Sequence, residues 1–213
     1  MSPDLRVYTV IDTSVVALQD AARVGTEAAA GGSGILQLRA KHSPTRNVLA
    51  ALIALGEAVA GRAAVVVDDR VDVYLAARAR SEHVHGVHVG QSDLPADAVR
   101  ALIGPDALLG LSASTPDEAR AAEALGVDHL GVGAVHATPT KPDAPEPLGY
   151  EGLAAVVAAT SLPCVGIGGL ALPDAAGVRS AGAAGMAVVR AVAGAADPRA
   201  AAAGLLRAWE AAA

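Results

Sequence analysis

Short runs of β-branched and aliphatic residues alternate with longer alanine-rich stretches of helical period along the whole chain. That alternation predicts strand and helix in turn. The strand pattern falls on 6–12, 34–40, 63–68, 86–90, 108–112, 129–135, 163–167 and 185–190. Helical stretches lie near 17–31, 46–61, 71–80, 96–103, 116–125, 150–160, 173–181 and 197–212. Runs such as Ala64-Val65-Val66-Val67 are apolar throughout, as in a parallel sheet covered on both faces. Thr115-Pro116-Asp117-Glu118 supplies an N-cap, a proline at the first helical position and acids in the first turn. Gly126 and Gly182 stand where helices must stop. Eight strand–helix units with short connections predict an α/β fold, a closed (β/α)8 TIM barrel built as one domain over residues 1–213. An open doubly wound sheet would have fewer units and usually a glycine fingerprint after strand 1. Here that position reads Ile11-Asp12-Thr13-Ser14.

Composition narrows the function classes. Hydrophobic residues make up 53% of the chain, aromatic residues 2%, and Phe is absent. The core therefore falls to Val, Leu, Ile and Ala, and few rings are available for stacking nucleic-acid bases. The formal charge of −6 is opposite to the basic footprint of a nucleic-acid binder. Phosphate binding by an acidic chain requires its cations to be concentrated in one place. A single cysteine, Cys164, excludes an internal disulfide framework and a cysteine-rich zinc site. The N-terminal Met-Ser-Pro-Asp-Leu-Arg-Val lacks the pattern of a signal peptide. Residues 154–173 carry no charge, but Pro163, Gly166, Gly168 and Gly169 divide them into a helix end, a strand and a turn. The expectation is a cytoplasmic protein that engages neither nucleic acid nor membrane; a homo-oligomer is compatible with it.

In such a barrel the reactive residues gather where strands hand over to helices. Strand 2 ends in Gln37-Leu38-Arg39-Ala40-Lys41, and alternation sends Gln37, Arg39 and Lys41 to one side. Strand 3 ends in Asp68-Asp69-Arg70 and strand 4 in Gly90-Gln91-Ser92-Asp93; strand 5 carries Ser112 and Ser114. Strand 6 leads into His136-Ala137-Thr138-Pro139-Thr140-Lys141, strand 7 ends in Gly166-Ile167-Gly168-Gly169, and strand 8 in Val188-Val189-Arg190. Singly, each has an ordinary reading: solvated cations, a helix cap at Asp68-Asp69, loop hydroxyls, glycines for a tight turn, packed His85, His88 and Cys164. Their common location is what points to chemistry. Asp69 and Asp93, from neighbouring strands, can hold Mg²⁺, which prefers oxygen ligands and shares its shell with substrate phosphates. Arg39, Lys41 and Lys141 can neutralise a diphosphate bound to it. Gly168, Gly169 and the backbone after strand 8 lie where such barrels bind a phosphate through amides.

In order and spacing, these segments resemble the thiamine phosphate synthase family and its relative, the thiazole tautomerase. The matching segments are Gln37-Leu38-Arg39-Ala40-Lys41, Asp69-Arg70-Val71-Asp72, Gly86 through Pro95, Thr138-Pro139-Thr140-Lys141, Pro147-Leu148-Gly149 and Gly166-Ile167-Gly168-Gly169. The resemblance implies a Mg²⁺-dependent transferase that joins hydroxymethylpyrimidine diphosphate to a thiazole phosphate, giving thiamine phosphate and pyrophosphate. It implies that Arg39, Lys41 and Lys141 hold the diphosphate and that Asp69 and Asp93 bind the metal. Gln37 and Ser112 would line the pyrimidine and leaving group. Thr138, Thr140, Gly169 and the backbone at Val189 and Arg190 would receive the thiazole phosphate. Asp68, on the substrate side of the metal carboxylate, stands where the family usually has Asn. Ser114 replaces a frequent His, Ala134 and His136 replace a Pro and an aromatic residue, and Arg190 replaces a frequent Ser.

Three other readings compete. A thiazole tautomerase would need no diphosphate site, so Arg39, Lys41, Asp69, Asp93, Thr140 and Lys141 would have no task. A non-catalytic sensor of thiamine precursors would leave the full metal and leaving-group site unexplained. A sugar-phosphate isomerase needs an acid/base pair, and none stands out.

Overall fold

The computed structural model describes residues 3–138 and 146–212. Eight parallel strands close into a barrel in chain order, β1 through β8, with β1 pairing both β2 and β8. They are β1 Val7–Asp12, β2 Ile35–Arg39, β3 Ala64–Asp68, β4 Gly86–Val89, β5 Leu108–Ala113, β6 His129–Val132, β7 Cys164–Ile167 and β8 Gly185–Val188. The helices are α1 Ala21–Ala30, α2 Thr45–Val59, α3 Val71–Arg78, α4 Ala96–Ile103, α5 Pro116–Ala122, α6 Gly149–Val157, α7 Ala175–Ser180 and α8 Pro198–Ala211.

Local signals set the helix starts. At α5, Thr115 accepts from the Glu118 amide while the Glu118 side chain accepts from Thr115, closing a capping box ahead of Pro116. At α8, Asp197 accepts from the Ala200 amide at 2.9 Å, with Pro198 in the first turn. A short 3₁₀ turn precedes α1 and α7 and another follows α5, so those helices are shorter than their periodic stretches suggest.

Side chains alternate across each strand, and the two faces build two cores. Outward-facing Leu36, Leu38, Val65, Val67 and Leu109 are fully buried against apolar helix faces that include Leu52, Leu55, Ile103 and Leu205. Each such aliphatic side chain contributes about 1.5–3 kcal/mol by leaving water. Inside the barrel, Tyr8, Val10, Ile35, Val66, Val165 and Ala187 form a second, smaller cluster.

Two strands end two or three residues earlier than their sequence pattern, and β2 and β4 one residue earlier. β6 stops at Val132 instead of 135, and β8 at Val188 instead of 190. Beyond β6 the Val135 and His136 amides turn to the Ile167 and Gly168 carbonyls at 2.9 Å each. Beyond β8 the chain coils into a helical turn, with the Ala193 amide on the Val189 carbonyl at 2.8 Å. Both segments keep their backbone bonded, outside the strand ladder. Among the described residues no helix is long and apolar enough to cross a membrane.

Candidate active site

The C-terminal ends of β1 to β5 bring one polar cluster to the barrel mouth. Its buried base is Gln37, 5% exposed, which accepts from the Tyr8 hydroxyl at 2.5 Å and donates through Nε2 to Asp68 Oδ1 at 2.6 Å. Arg39 Nε lies 3.2 Å from the other Asp68 oxygen, and Arg39 Nη1 lies 2.5 Å from Asp12 Oδ2. Burial opposes the Arg39 charge, yet the neighbouring Asp68 and Asp12 carboxylates outweigh it and raise the guanidinium pKa. Burial acts on Asp68 in the same upward sense as the adjacent Asp69. Together they overcome Arg39 and Lys41, lifting the Asp68 carboxyl well above the usual carboxylate range.

Asp69 breaks the strand alternation. Its φ of +58° is left-handed, and its amide donates to the His88 carbonyl at 2.8 Å. Asp tolerates this region better than most residues. The turn lets consecutive carboxyls serve one site: Asp68 bonds Gln37 and Arg39, while Asp69 meets Lys41 Nζ at 2.6 Å. Asp69 also contacts the Asp93 side chain. Asp93 is raised first by burial and then by Asp69, against a 2.8 Å bond from the Gly90 amide. Lys41 keeps a raised pKa because Asp69 and Asp68 more than offset its burial.

Ser112 sits beside this cluster, with Oγ 3.0 Å from His88 Nε2 and its carbonyl accepting from Gln91 at 2.7 Å. Ser114, at the position of a frequent family His, gives its hydroxyl to the Gly133 carbonyl at 3.0 Å and so ties β5 to the segment after β6. His85 accepts the Val65 amide through Nδ1 at 3.0 Å. Cys164 is a buried core thiol, pushed up to about 11 by burial.

The other part of the predicted site lies at β6–β8. Gly168 and Gly169 have φ of +100° and +66°, and a Cβ would come within 2.6 Å of Ala134 Cβ and 2.7 Å of the Ala137 carbonyl, respectively. Both positions therefore require glycine on conformational and steric grounds. The Ile167–Ala187 pairing carries Gly169, Val189 and Arg190 to the same rim, where Gly169 and Arg190 are exposed and Val189 half-buried. Thr138 is half-buried at the end of the described part of the loop. Thr140 and Lys141 lie outside the described residues. His136, in place of an aromatic residue, lies 3.1 Å from Asp174 Oδ1, which also accepts from Tyr150 at 2.6 Å. These contacts join the segment after β6 to the starts of α6 and α7.

The structure thus brings Gln37, Arg39, Lys41, Asp68, Asp69, Asp93 and Ser112 together, and Gly169, Val189 and Arg190 to the adjoining rim. Sequence reasoning missed Asp12, 2% exposed and bonded to Arg39. Its strand phase, two residues beyond Val10, was the available signal. Among the described residues no group of three or more His, Cys, Asp or Glu side chains could by itself hold a metal. The Asp69–Asp93 pair suits Mg²⁺, which commonly takes one or two carboxylates and completes its shell with water and substrate phosphate.

The opposite end of the barrel offers a contrast. A cavity of about 420 Å³ there is lined by Pro3, Leu5, Leu108, Pro163, His129 and acidic Asp106 and Asp128. Among the described residues its lining holds no lysine or arginine, so it does not suit a phosphate.

Comparisons with known proteins identify the family. The thiamine monophosphate synthase family matches residues 7–192. The thiamine-phosphate synthase of Moorella thermoacetica is 46% identical over 206 residues, covering 94% of this chain and 93% of that one. The thiamine-phosphate synthase of Laribacter hongkongensis is 48% identical over 199 residues, covering 92% of each. The solved thiamine phosphate pyrophosphorylase of Pyrococcus furiosus superposes with a TM-score of 0.85 at 33% identity, covering 98% of this chain and 97% of that one. With the family match spanning most of the barrel and its mouth, the chain belongs to the thiamine monophosphate synthase family.

Proposed function

We propose that this protein is a Mg²⁺-dependent thiamine-phosphate synthase that couples hydroxymethylpyrimidine diphosphate to thiazole phosphate and releases pyrophosphate. The observation that carries the reading is the charge pattern at the mouth. Arg39 and Lys41 face Asp12, Asp68, Asp69 and Asp93. A site with that carboxylate excess repels a diphosphate unless a divalent cation joins them. Bound by Asp69 and Asp93, Mg²⁺ would supply charge stabilisation to the leaving diphosphate.

The chain's own residues do the rest. Arg39 and Lys41, with Lys141 from the strand 6 loop, offset the charge that grows as the carbon–oxygen bond to the diphosphate breaks. Gln37 and Ser112 lie along the pyrimidine, and Ser112 is held by His88 at 3.0 Å. Thr138, Thr140, Gly169 and the backbone at Val189 and Arg190 hold the thiazole phosphate. The thiazole nitrogen is thereby aligned with the pyrimidine methylene carbon, where the new carbon–nitrogen bond forms. An electron-rich pyrimidine tolerates cationic character at that carbon, so the reaction needs no protein nucleophile. Because both substrates are phosphorylated and do not cross membranes unaided, we place the activity in the cytoplasm.

The test is incubation of the purified protein with both precursors and Mg²⁺. Formation of thiamine phosphate and pyrophosphate in equal amounts is the expected result. Thiazole isomerisation without coupling would assign a tautomerase instead, and binding without turnover a sensor.

A further inference from the structure

We propose that Asp12 is a positioning residue for Arg39: it fixes the guanidinium for the diphosphate without touching the substrate itself. The inference rests on the functional reading of Arg39 above. Asp12 and Arg39 are the last paired residues of the β1–β2 ladder. The Asp12 carboxyl is 2% exposed, and both its oxygens are engaged: Oδ1 by the Ser14 amide at 2.7 Å and Oδ2 by Arg39 Nη1 at 2.5 Å. The turn after β1 holds this carboxylate in turn, because the Val15 and Val16 amides donate to the Asp12 carbonyl at 2.9 Å each. Asp68 takes Arg39 Nε at 3.2 Å. Anchored on two nitrogens by carboxylates from two strands, the planar guanidinium keeps one orientation, and Nη2 is the nitrogen that neither carboxylate takes. An arginine fixed before its ligand arrives loses less rotamer freedom on binding.

Two simpler accounts of Asp12 predict different behaviour. As a staple between β1 and β2 it would be largely redundant, because their ladder already carries the pairs from Tyr8–Ile35 to Ile11–Leu38. Its loss would then affect stability and not one ligand. As a bare charge it would weaken the site for anions, since a carboxylate beside a diphosphate repels it. Removing that charge would tighten anion binding. A positioning role predicts the reverse sign.

The experiment is a double-mutant cycle on binding of inorganic pyrophosphate with Mg²⁺, using wild type, Asp12→Asn, Arg39→Ala and the double variant. We expect Asp12→Asn to raise the Kd by about tenfold in the wild-type background and by less than about twofold when Arg39 is Ala, the non-additivity of residues in contact. Tighter or unchanged binding in Asp12→Asn, or an equal loss in both backgrounds, overturns the proposal. In the coupling assay the KM for the pyrimidine diphosphate should rise while that for the thiazole phosphate stays put; a parallel rise in both contradicts positioning. If Asp12→Asn does not fold, Asp12→Glu replaces it: its longer arm displaces Arg39 at constant charge, so weaker pyrophosphate binding is expected and unchanged binding refutes the role. A wild type that binds pyrophosphate with the expected cycle but makes no thiamine phosphate would sink the proposed function and leave this inference standing.

Discussion

The two halves of the barrel interior are built from the same strands and do opposite work. Toward the N-terminal ends, Tyr8, Val10, Ile35, Val66 and Val165 fill the space with apolar groups. Further along, the inward positions of β1, β2 and β3 become Asp12, Gln37, Arg39 and Asp68, joined by hydrogen bonds and ion pairs, and β5 adds Ser112, bonded to His88. Strand alternation makes the switch possible, since every second residue faces inward. Burying carboxylates is costly unless they are paired. The lower half supplies packing free energy, and the upper half spends part of it to hold charges ready for a ligand. His129 is the exception in the lower half. It is 2% exposed, and burial is the main cause that drives its pKa down to about 3, with His88 adding to it.

The largest break in this division should come from the upper half. Asp93→Ala should lower turnover by roughly 10²-fold or more, as removal of other electrostatic stabilisers does, while thermal stability holds or rises as the like-charge contact with Asp69 is relieved. Steady-state kinetics and a melting curve on one preparation would check both. Near-normal turnover would remove Asp93 from the metal site.

Next comes His129. Its ordinary pKa is 6.5 and its folded value about 3, so between those limits the unfolded chain binds a proton that the native one does not. Its contribution to stability is complete above pH 6.5 and is lost as pH falls toward 3, by about 1.4 kcal/mol per pH unit. From pH 6.5 to 5 that amounts to about 2 kcal/mol. Urea unfolding of wild type and His129→Leu across that range should show the variant losing less stability; parallel curves would refute a buried neutral imidazole.

Ile35→Val, in the apolar half, should cost about 1 kcal/mol of stability and leave kcat within about twofold. A loss of kcat larger than the loss of stability would mean that the two halves are not independent. The smallest effect is expected from Asp68→Asn. The amide oxygen can still accept from Gln37, Asp12 still holds Arg39, and one carboxylate is removed from beside the diphosphate. Activity should be preserved or improved, and its collapse would make Asp68 an essential metal ligand.

The sequence revealed the barrel because eight apolar strands and eight helices of distinct period follow one another without a break. It also revealed the phase of Gln37, Arg39 and Lys41, which depends only on alternation. Other features depend on contacts that one strand alone does not display. Asp12 acquires meaning only when β1 lies beside β2 and its carboxyl meets Arg39. Asp69 reaches the mouth through a left-handed turn that no pattern of period two contains. Asp68 turns inward to Gln37, a bond between different strands. The room for His88 and His129 comes from a glycine on β5: a Cβ on Gly110 would lie 2.3 Å from His88 Nδ1 and 2.7 Å from His129 Nε2. The shortening of β6 and β8 was equally hidden, because their apolar pattern continues while the backbone leaves the ladder.

The central claim is that the acids and cations of the upper half meet on one metal-bound diphosphate. Calorimetric titration of inorganic pyrophosphate into the wild-type protein, with and without Mg²⁺, tests it most directly. The account predicts binding that requires Mg²⁺ and a metal dependence that disappears in the Asp69→Asn, Asp93→Asn double variant. Equal affinity with and without the metal, or an unchanged metal dependence in the double variant, would contradict it.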